Sequence, residues 1–461
     1  MSQLQSCMMF HKKIRILQIF RSSPLNRKVL KIALPSSLGM VSQTAVMITD
    51  TAMVGSLGVV EQAATGLGGM LVWTLLSFLH GASIGIQILC SRKIGEKKDS
   101  EAGLILSTSL IFFILFGIGL TISGYALSPF FIEALTDKDE IQSLAVPFLK
   151  IRFLGISFFL LNAVFIGFYD ATGKTYISMT ASAGTAAINI FLNWVFIFGN
   201  LGMEPYGVNG AAAASSMSGM TGFVILIIFI LKKDFRKYFQ LKRKFQLSIL
   251  KNVIRTGLAP SLEGFLMHLS FLIFYRLSAQ ISTISVAATN IIVSIMSISF
   301  MPGYAFGIAA TTLMGQAMGA KKYRLAEASV YRSLQYAMLL MGTMGIIFII
   351  FRYRMISFFT NDSSVINEAI TALIFVSLAQ TGDAMQMVMG SALRGAGFVY
   401  RVLWINTVIS FGIMLPFAYF MGIQMDMGTS GLWSSIFLWI MSLGLLFLMI
   451  FKKMDWKKGR V

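Results

Sequence analysis

The sequence predicts an all-α polytopic membrane protein: twelve transmembrane helices in two six-helix lobes, related by a pseudo-two-fold axis along the membrane normal. Two observations predict it. The first is composition. Of 461 residues, 56% are hydrophobic and only 12% charged, with a mean hydropathy of +0.76, too apolar for a chain whose main solvent is water. The second is an internal repeat. Gly-x-Lys-Lys-x-x-x-Ala occurs at 95–102 (GEKKDSEA) and at 319–326 (GAKKYRLA), 224 positions apart. Gly173-x-x-Tyr176 and Gly397-x-x-Tyr400 share that offset, Pro35-Ser36 and Pro260-Ser261 lie 225 apart, and Gly207-x-x-Gly210 and Gly428-x-x-Gly431 lie 221 apart. Two similar halves in a membrane chain imply two bundles facing one another, with a path between them.

Apolar runs long enough to cross about 30 Å of hydrocarbon follow in order. The first half holds 30–54, 67–90, 104–127, 145–168, 176–198 and 208–231; the second holds 254–277, 286–314, 334–351, 370–393, 402–423 and 432–451. Twelve crossings return the C-terminus to the side of the N-terminus. Six crossings per half leave the two repeats in the same orientation.

Charge assigns the sides. Lys12, Lys13, Arg15, Arg21, Arg27 and Lys28 precede the first span, Arg92, Lys93, Lys97 and Lys98 follow the second, and seven bases from Lys232 to Lys244 join the halves. Lys321, Lys322 and Arg324, and the tail bases Lys452 to Arg460, fall on the same side, whereas the opposite connections hold Glu61, the acids of 137–140, Glu204, Asp362 and Asp426. Lys/Arg-rich loops stay in the cytoplasm, so both termini are expected there, in a multi-pass protein of the plasma (inner) membrane. The resulting division is a basic N-terminal segment (1–28), a first lobe (29–231), a basic linker (232–251), a second lobe (252–452) and a tail (453–461). The net charge of +19 follows from this topology and from attraction to anionic membrane lipids; no soluble domain exists to carry a nucleic-acid surface.

Several function classes fall away. Residues 1–28 contain bases and apolar residues but no uninterrupted apolar core with a cleavage site, and read as an interfacial helix, not a signal peptide. Two cysteines, Cys7 and Cys90, and three scattered histidines offer neither a disulfide framework nor a metal site. No nucleotide-binding loop or nucleophile elbow occurs, so the chain is expected to be no enzyme and to need no cofactor.

Polar residues at membrane depth carry more information, because hydrocarbon makes them costly. Asp50 lies in TAVMITDTAMVG, with no base within a dozen positions; such a carboxylate must be protonated, bind a cation or reach water. Asn189 and Asn193 in the fifth span, four apart, share a helix face. Amide and carboxylate oxygens are hard ligands of the kind Na+ accepts, and they can equally surround a protonatable acid; holding helices together is the structural alternative. Asp383 lies eleven residues before Arg394, well inside the tenth span, and Glu263 and His268 lie five apart on the seventh, pointing in different directions.

At these residues the chain resembles, over nearly its whole length, the multidrug and toxic compound extrusion (MATE) family of secondary transporters. The resemblance rests on Gln43-Thr44 followed by Asp50-Thr-Ala-Met-Val-Gly55, on Asn189-x-x-x-Asn193-Trp194, and on Gly207-Val-Asn-Gly-Ala-Ala212. In the second half it rests on Met301-Pro302, Gly315-Gln316-Ala-Met-Gly319-Ala320, Leu393-Arg394-Gly-Ala-Gly397 and Gly431-Leu-Trp433. It implies a cation-coupling group of Asp50, Asn189, Asn193 and Ser215, with Na+ or H+ as the ion and Asp50, Asn189 and Asn193 as the candidate Na+ ligands. Asp383 matches the tenth-helix acid of the NorM-like branch and, with Glu263 and His268, defines a second-lobe cation or substrate site. His268 stands where that branch carries a seventh-helix Glu, and Asn193 replaces an acid of DinF-like members. Gln43, Thr44 and Gln386 are candidates for the substrate cavity.

The resemblance implies efflux of small amphipathic, often cationic compounds in exchange for the ion, by alternating access, from a protein expected to act as a monomer. Two alternatives are weighed against it. A lipid-linked oligosaccharide flippase would line its cavity with several bases, which here lie in loops, and an intramembrane enzyme would need paired catalytic groups at membrane depth.

Overall fold

The computed structural model describes residues 23–238 and 245–459. Among them are twelve helices long and apolar enough to cross a membrane: α1 (Pro24–Gly55), α2 (Val59–Gly95), α3 (Asp99–Glu133), α4 (Asp139–Thr172), α5 (Thr175–Phe198), α6 (Gly207–Ile230), α7 (Leu247–Ile281), α8 (Thr283–Gly319), α9 (Tyr323–Ser357), α10 (Ser363–Gly395), α11 (Val399–Gln424) and α12 (Gly428–Lys453). Each predicted run is found as a helix, and several helices overrun their runs by two turns or more. An apolar run marks only the stretch in hydrocarbon, whereas backbone hydrogen bonding continues into the interface until a cap ends it. Such caps are visible: Ser23 accepts from Asn26 N–H at 3.3 Å ahead of Pro24, and Asp362 accepts from Ser364 N–H at 2.9 Å. The expected interfacial helix falls mainly on 1–22, outside the described residues.

The repeat in the sequence is a repeat in space. In the first half α2 packs on α4, α4 on α3 and α6, α5 on α6, and α1 on α5; in the second, α8 packs on α10, α10 on α9 and α12, and α7 on α11. The lobes meet through the reciprocal pairs α2–α7 and α1–α8, and through α2–α8. The duplicated Lys-Lys string makes the same turn twice. Lys97 and Lys321 adopt left-handed φ values of 61° and 56°, and the next residues close equivalent bonds, Lys98 N–H to Lys93 C=O at 2.9 Å and Lys322 N–H to Ala317 C=O at 2.8 Å.

Glycine sets the seam. A Cβ on Gly95 would fall 2.0 Å from the Gln316 carbonyl oxygen, and one on Gly319 would fall 2.1 Å from that of Arg92. Adding 224 to 92 and 95 gives 316 and 319, so these two contacts are the same contact seen from each half. Gly85 backs onto Gly257 in the α2–α7 seam. Hydrogen bonds tighten it: Gln87 Nε2 donates to Thr312 Oγ1 at 2.9 Å, Thr312 Oγ1 to Asp170 C=O at 2.8 Å, and Gln316 Nε2 to Ala171 C=O at 2.7 Å. Among the described residues every cross-lobe hydrogen bond lies in the half of the molecule that carries the basic loops. The lobes are therefore closed at the basic end, and among the described residues no hydrogen bond joins them toward the acidic end.

Candidate functional site

Asp50 sits one and a half turns before the C-terminus of α1, the helix that packs along α5. That packing brings Asn193 Nδ2 to 2.5 Å from Asp50 Oδ1. The other proton of the same amide goes to Asn189 Oδ1 at 3.1 Å, and Asn189 Nδ2 in turn reaches the hydroxyls of Ser215 and Ser218 on α6, each at 3.4 Å. The four residues Asp50, Asn189, Asn193 and Ser215 thus form one connected network across three helices. The i,i+4 spacing on α5 is what stacks the two amides.

Asn193 is fully buried, yet its Oδ1 has no hydrogen-bond partner. A buried acceptor left unsatisfied costs about 1–3 kcal/mol. Beside it lies an acid with one oxygen engaged. A proton carried on Asp50, or a hard cation between Asp50 and Asn193, would satisfy that orphan oxygen, so the donor set fits either ion. Gln43 and Thr44 stand on the same helix seven and six residues before Asp50; Thr44 Oγ1 donates to its own helix at Met40 C=O, 3.3 Å away, and Gln43 is exposed.

Sequence reasoning missed two members of this neighbourhood. Ser218 could have been found, being one turn after Ser215. Arg152 of α4 lies far from Asp50 in the chain, but it is the base whose charge reaches that carboxylate, and its guanidinium lies over the Phe159 ring at 5.4 Å. The expectation that bases lie only in loops is corrected by Arg152 and Arg394, both inside spanning helices. Arg394 is tolerated there because Glu263 pairs with it at 2.6 Å, and Arg152 because its guanidinium lies over the Phe159 face.

The second-lobe candidates are placed apart. Asp383 is 1% exposed; Gln386 Nε2 donates to its Oδ1 at 2.7 Å, and its Oδ2 has no partner. One turn earlier, Gln380 is equally buried with an orphan Oε1. Glu263 is held elsewhere: Arg394 donates to it through Nη2 at 2.6 Å and Nε at 3.3 Å, and Asn406 Nδ2 does so at 2.5 Å. Arg394 is eleven residues beyond Asp383 on α10, about 16 Å along the axis, so Glu263 belongs to a different level of the lobe. The exposed His268 bonds Gly264 C=O of its own helix at 2.7 Å. Among the described residues no three His, Cys, Asp or Glu side chains could hold a metal ion together.

Two pseudo-symmetric six-helix lobes, closed on one side and carrying a partly buried acid–amide network, define a polytopic membrane transporter, not an enzyme. The MatE family profile matches residues 35–195 and 260–420, and the chain belongs to this family of multidrug efflux transporters. A probable multidrug resistance protein NorM of Thermotoga maritima is 28% identical over 443 residues, covering 95% of this chain and 94% of that protein. A namesake from Neisseria meningitidis serogroup A is 25% identical over 414 residues, covering 89% and 90%. Among solved structures, a MATE transporter in an outward-facing conformation superposes with a TM-score of 0.88 at 22% identity, covering 96% of this chain and 98% of that one. A transporter of the MOP superfamily from Pyrococcus furiosus, whose binding pocket is described as having reversed polarity, gives 0.86 at 22% identity over 96% and 98%.

Proposed function

We propose that this protein exports small amphipathic, often cationic compounds across the plasma membrane in exchange for Na+ or H+, and that Asp50 is the coupling acid. The observation that carries this reading is the orphan oxygen of Asn193 beside Asp50: a transporter site that leaves one acceptor unsatisfied is prepared for a proton or a hard cation. With the Lys/Arg-rich loops in the cytoplasm, the closed end of the seam is cytoplasmic and this conformation faces outward. An ion entering from outside reaches Asp50 and favours return to the inward-facing state; there, drug binding and ion release favour the outward state again. Competition of drug and ion for one carboxylate, or their preference for opposite states, suffices for exchange. Asp383, with the orphan oxygens of Asp383 and Gln380 one turn apart, is an auxiliary cation or substrate site, and the Glu263–Arg394–Asn406 group fixes helix positions in the second lobe.

The test is gradient-driven export of a fluorescent cationic dye from vesicles containing the purified protein, with Na+ and pH gradients imposed separately. Export driven by either gradient and abolished in Asp50→Asn supports the reading. Export that ignores both gradients overturns it.

A further inference from the structure

We infer that the basic end of α7 carries a binding site for an anionic phospholipid. A groove of about 500 Å³ runs along one face of this helix, lined by Leu250, Lys251, Ile254, Arg255 and Leu258, with Tyr400 of α11 as its far wall. Spacings of three, four and seven residues put these side chains on one stripe. The opposite stripe, Val253, Thr256, Gly257 and Pro260, is buried, and Gly257 is in the seam against α2. The groove therefore faces away from the path between the lobes. Its shape is fixed by the Tyr400 hydroxyl, which donates to Arg255 C=O at 3.0 Å and ties α11 to α7.

The pattern of charge selects the occupant. Lys251 and Arg255 are one turn apart and exposed, and neither has an ion-pair partner among the described residues. The chain's own remaining segments, 1–22, 239–244 and 460–461, contain no Asp or Glu, so they offer no side-chain carboxylate to neutralise the pair. The helix has 35 residues, about 52 Å, against about 30 Å of hydrocarbon; its first two turns thus project to headgroup level with Lys251, while Arg255 and Leu258 follow at the acyl boundary, from which the long Arg255 side chain reaches back toward the headgroups. One cation at headgroup level and a second reaching up to it, set among apolar side chains that continue to acyl depth, match one phosphate above two acyl chains. This inference rests on the membrane location alone, and transport activity plays no part in its test.

The full-length protein would be reconstituted in nanodiscs of phosphatidylcholine with or without phosphatidylglycerol, and lipid retained after detergent exchange would be counted by native mass spectrometry. Wild type is expected to retain phosphatidylglycerol in preference to phosphatidylcholine, and the double variant Lys251→Gln/Arg255→Gln to bind it roughly thirtyfold more weakly, the factor contributed by two bases near an anionic surface. A control variant, Lys452→Gln/Lys453→Gln, alters bases outside the groove and should retain the preference. Melting in pure phosphatidylcholine reports whether each variant folds; if Lys251→Gln/Arg255→Gln does not, the single variants, each expected about fivefold weaker, replace it. Millimolar inorganic phosphate should not displace the lipid, because acyl chains contribute to holding it. Equal retention of both lipids by wild type, equal loss in the control, full retention in the groove variants, or displacement by phosphate would each overturn the inference.

Discussion

Asp50 accepts a hydrogen bond from Asn193 at 2.5 Å, joining α1 to α5 across 143 positions, and the second half repeats the relationship with Glu263 and Asn406, also 2.5 Å and 143 positions apart, joining α7 to α11. The two bonds link equivalent helices but not equivalent residues. Asp50 comes fifteen residues after Pro35, whereas Glu263 comes three after Pro260. The first bond lies toward the acidic end, where no hydrogen bond among the described residues joins the lobes, and the second lies toward the closed basic end. Their partners differ accordingly. Asp50 has no ion pair within 4 Å among the described residues, while Glu263 is gripped twice by Arg394. A carboxylate with no fixed cation in contact can take a mobile one, and a carboxylate already paired cannot do so cheaply.

The first prediction follows from that difference. Asp50→Asn keeps size and an acceptor for Asn193, so stability should change by no more than about 1 kcal/mol. Gradient-driven dye export in vesicles should fall to background. Wild-type export by this variant would remove Asp50 from the coupling role.

For Asn193→Leu, the side chain is fully buried and both its amide protons are used. Its removal strands Asp50 and Asn189 Oδ1, at a cost of about 1–3 kcal/mol that a melting curve will register. Export should also drop, because no amide remains to hold the acid. A variant that melts lower but exports at the normal rate would confine Asn193 to a structural role.

Asp383→Asn should impair export less than Asp50→Asn. Among the described residues Asp383 accepts one side-chain hydrogen bond, from Gln386, and its Oδ2 has no partner, so it lacks the amide-and-hydroxyl network of the first lobe. Matched vesicles with both variants decide it: complete loss in Asp383→Asn alone would reverse the assignment of the two lobes.

Glu263→Gln tests the paired acid. The side chains of Glu263 and Arg394 are 14% and 15% exposed, so neutralising one partner leaves a largely buried guanidinium without its counter-charge, a change worth about 3 kcal/mol. Thermal melting should fall, and adding Arg394→Gln should recover part of the loss. An unchanged melting temperature would mean that the pair is solvated in the bilayer-embedded protein.

How far the sequence could be read is clear from these residues. Apolar runs and the 224-residue offset give the helices and their pairing, because hydrocarbon leaves a chain few alternatives to helix. Asp50, Asn189 and Asn193 were legible for the same reason, since each is costly at membrane depth. Partnerships between distant helices were not. Nothing in the chain places Arg152 near Asp50, or turns Glu263 away from Asp383 and onto Arg394; both depend on the rotation of packed helices about their axes, which neither hydropathy nor spacing encodes. The two wide helical turns of α11, at Ser410–Met414 and Phe420–Gln424, lie on either side of Pro416, whose missing N–H is a local signal for such a break, although the apolar run 402–423 passes straight through it.

The seam glycines give the last prediction. Gly95 and Gly319 each leave room for a carbonyl of the other half, and a methyl at either would fall within about 2 Å of that oxygen, a distance that only backbone movement can relieve. Gly95→Ala and Gly319→Ala should therefore disfavour closure at the basic end, and, because the two contacts are related by the pseudo-two-fold axis, they should do so to a similar degree. The shift can be read from spin labels at Lys98→Cys and Lys322→Cys, in a background lacking Cys7 and Cys90. These positions are themselves 224 apart and flank the seam. Both alanine variants are expected to lengthen the label separation and to enrich the population open at the basic end, with export slowed because one half of the cycle is disfavoured. If either variant keeps the wild-type distance distribution, the close approach at that glycine is not what holds the basic end shut.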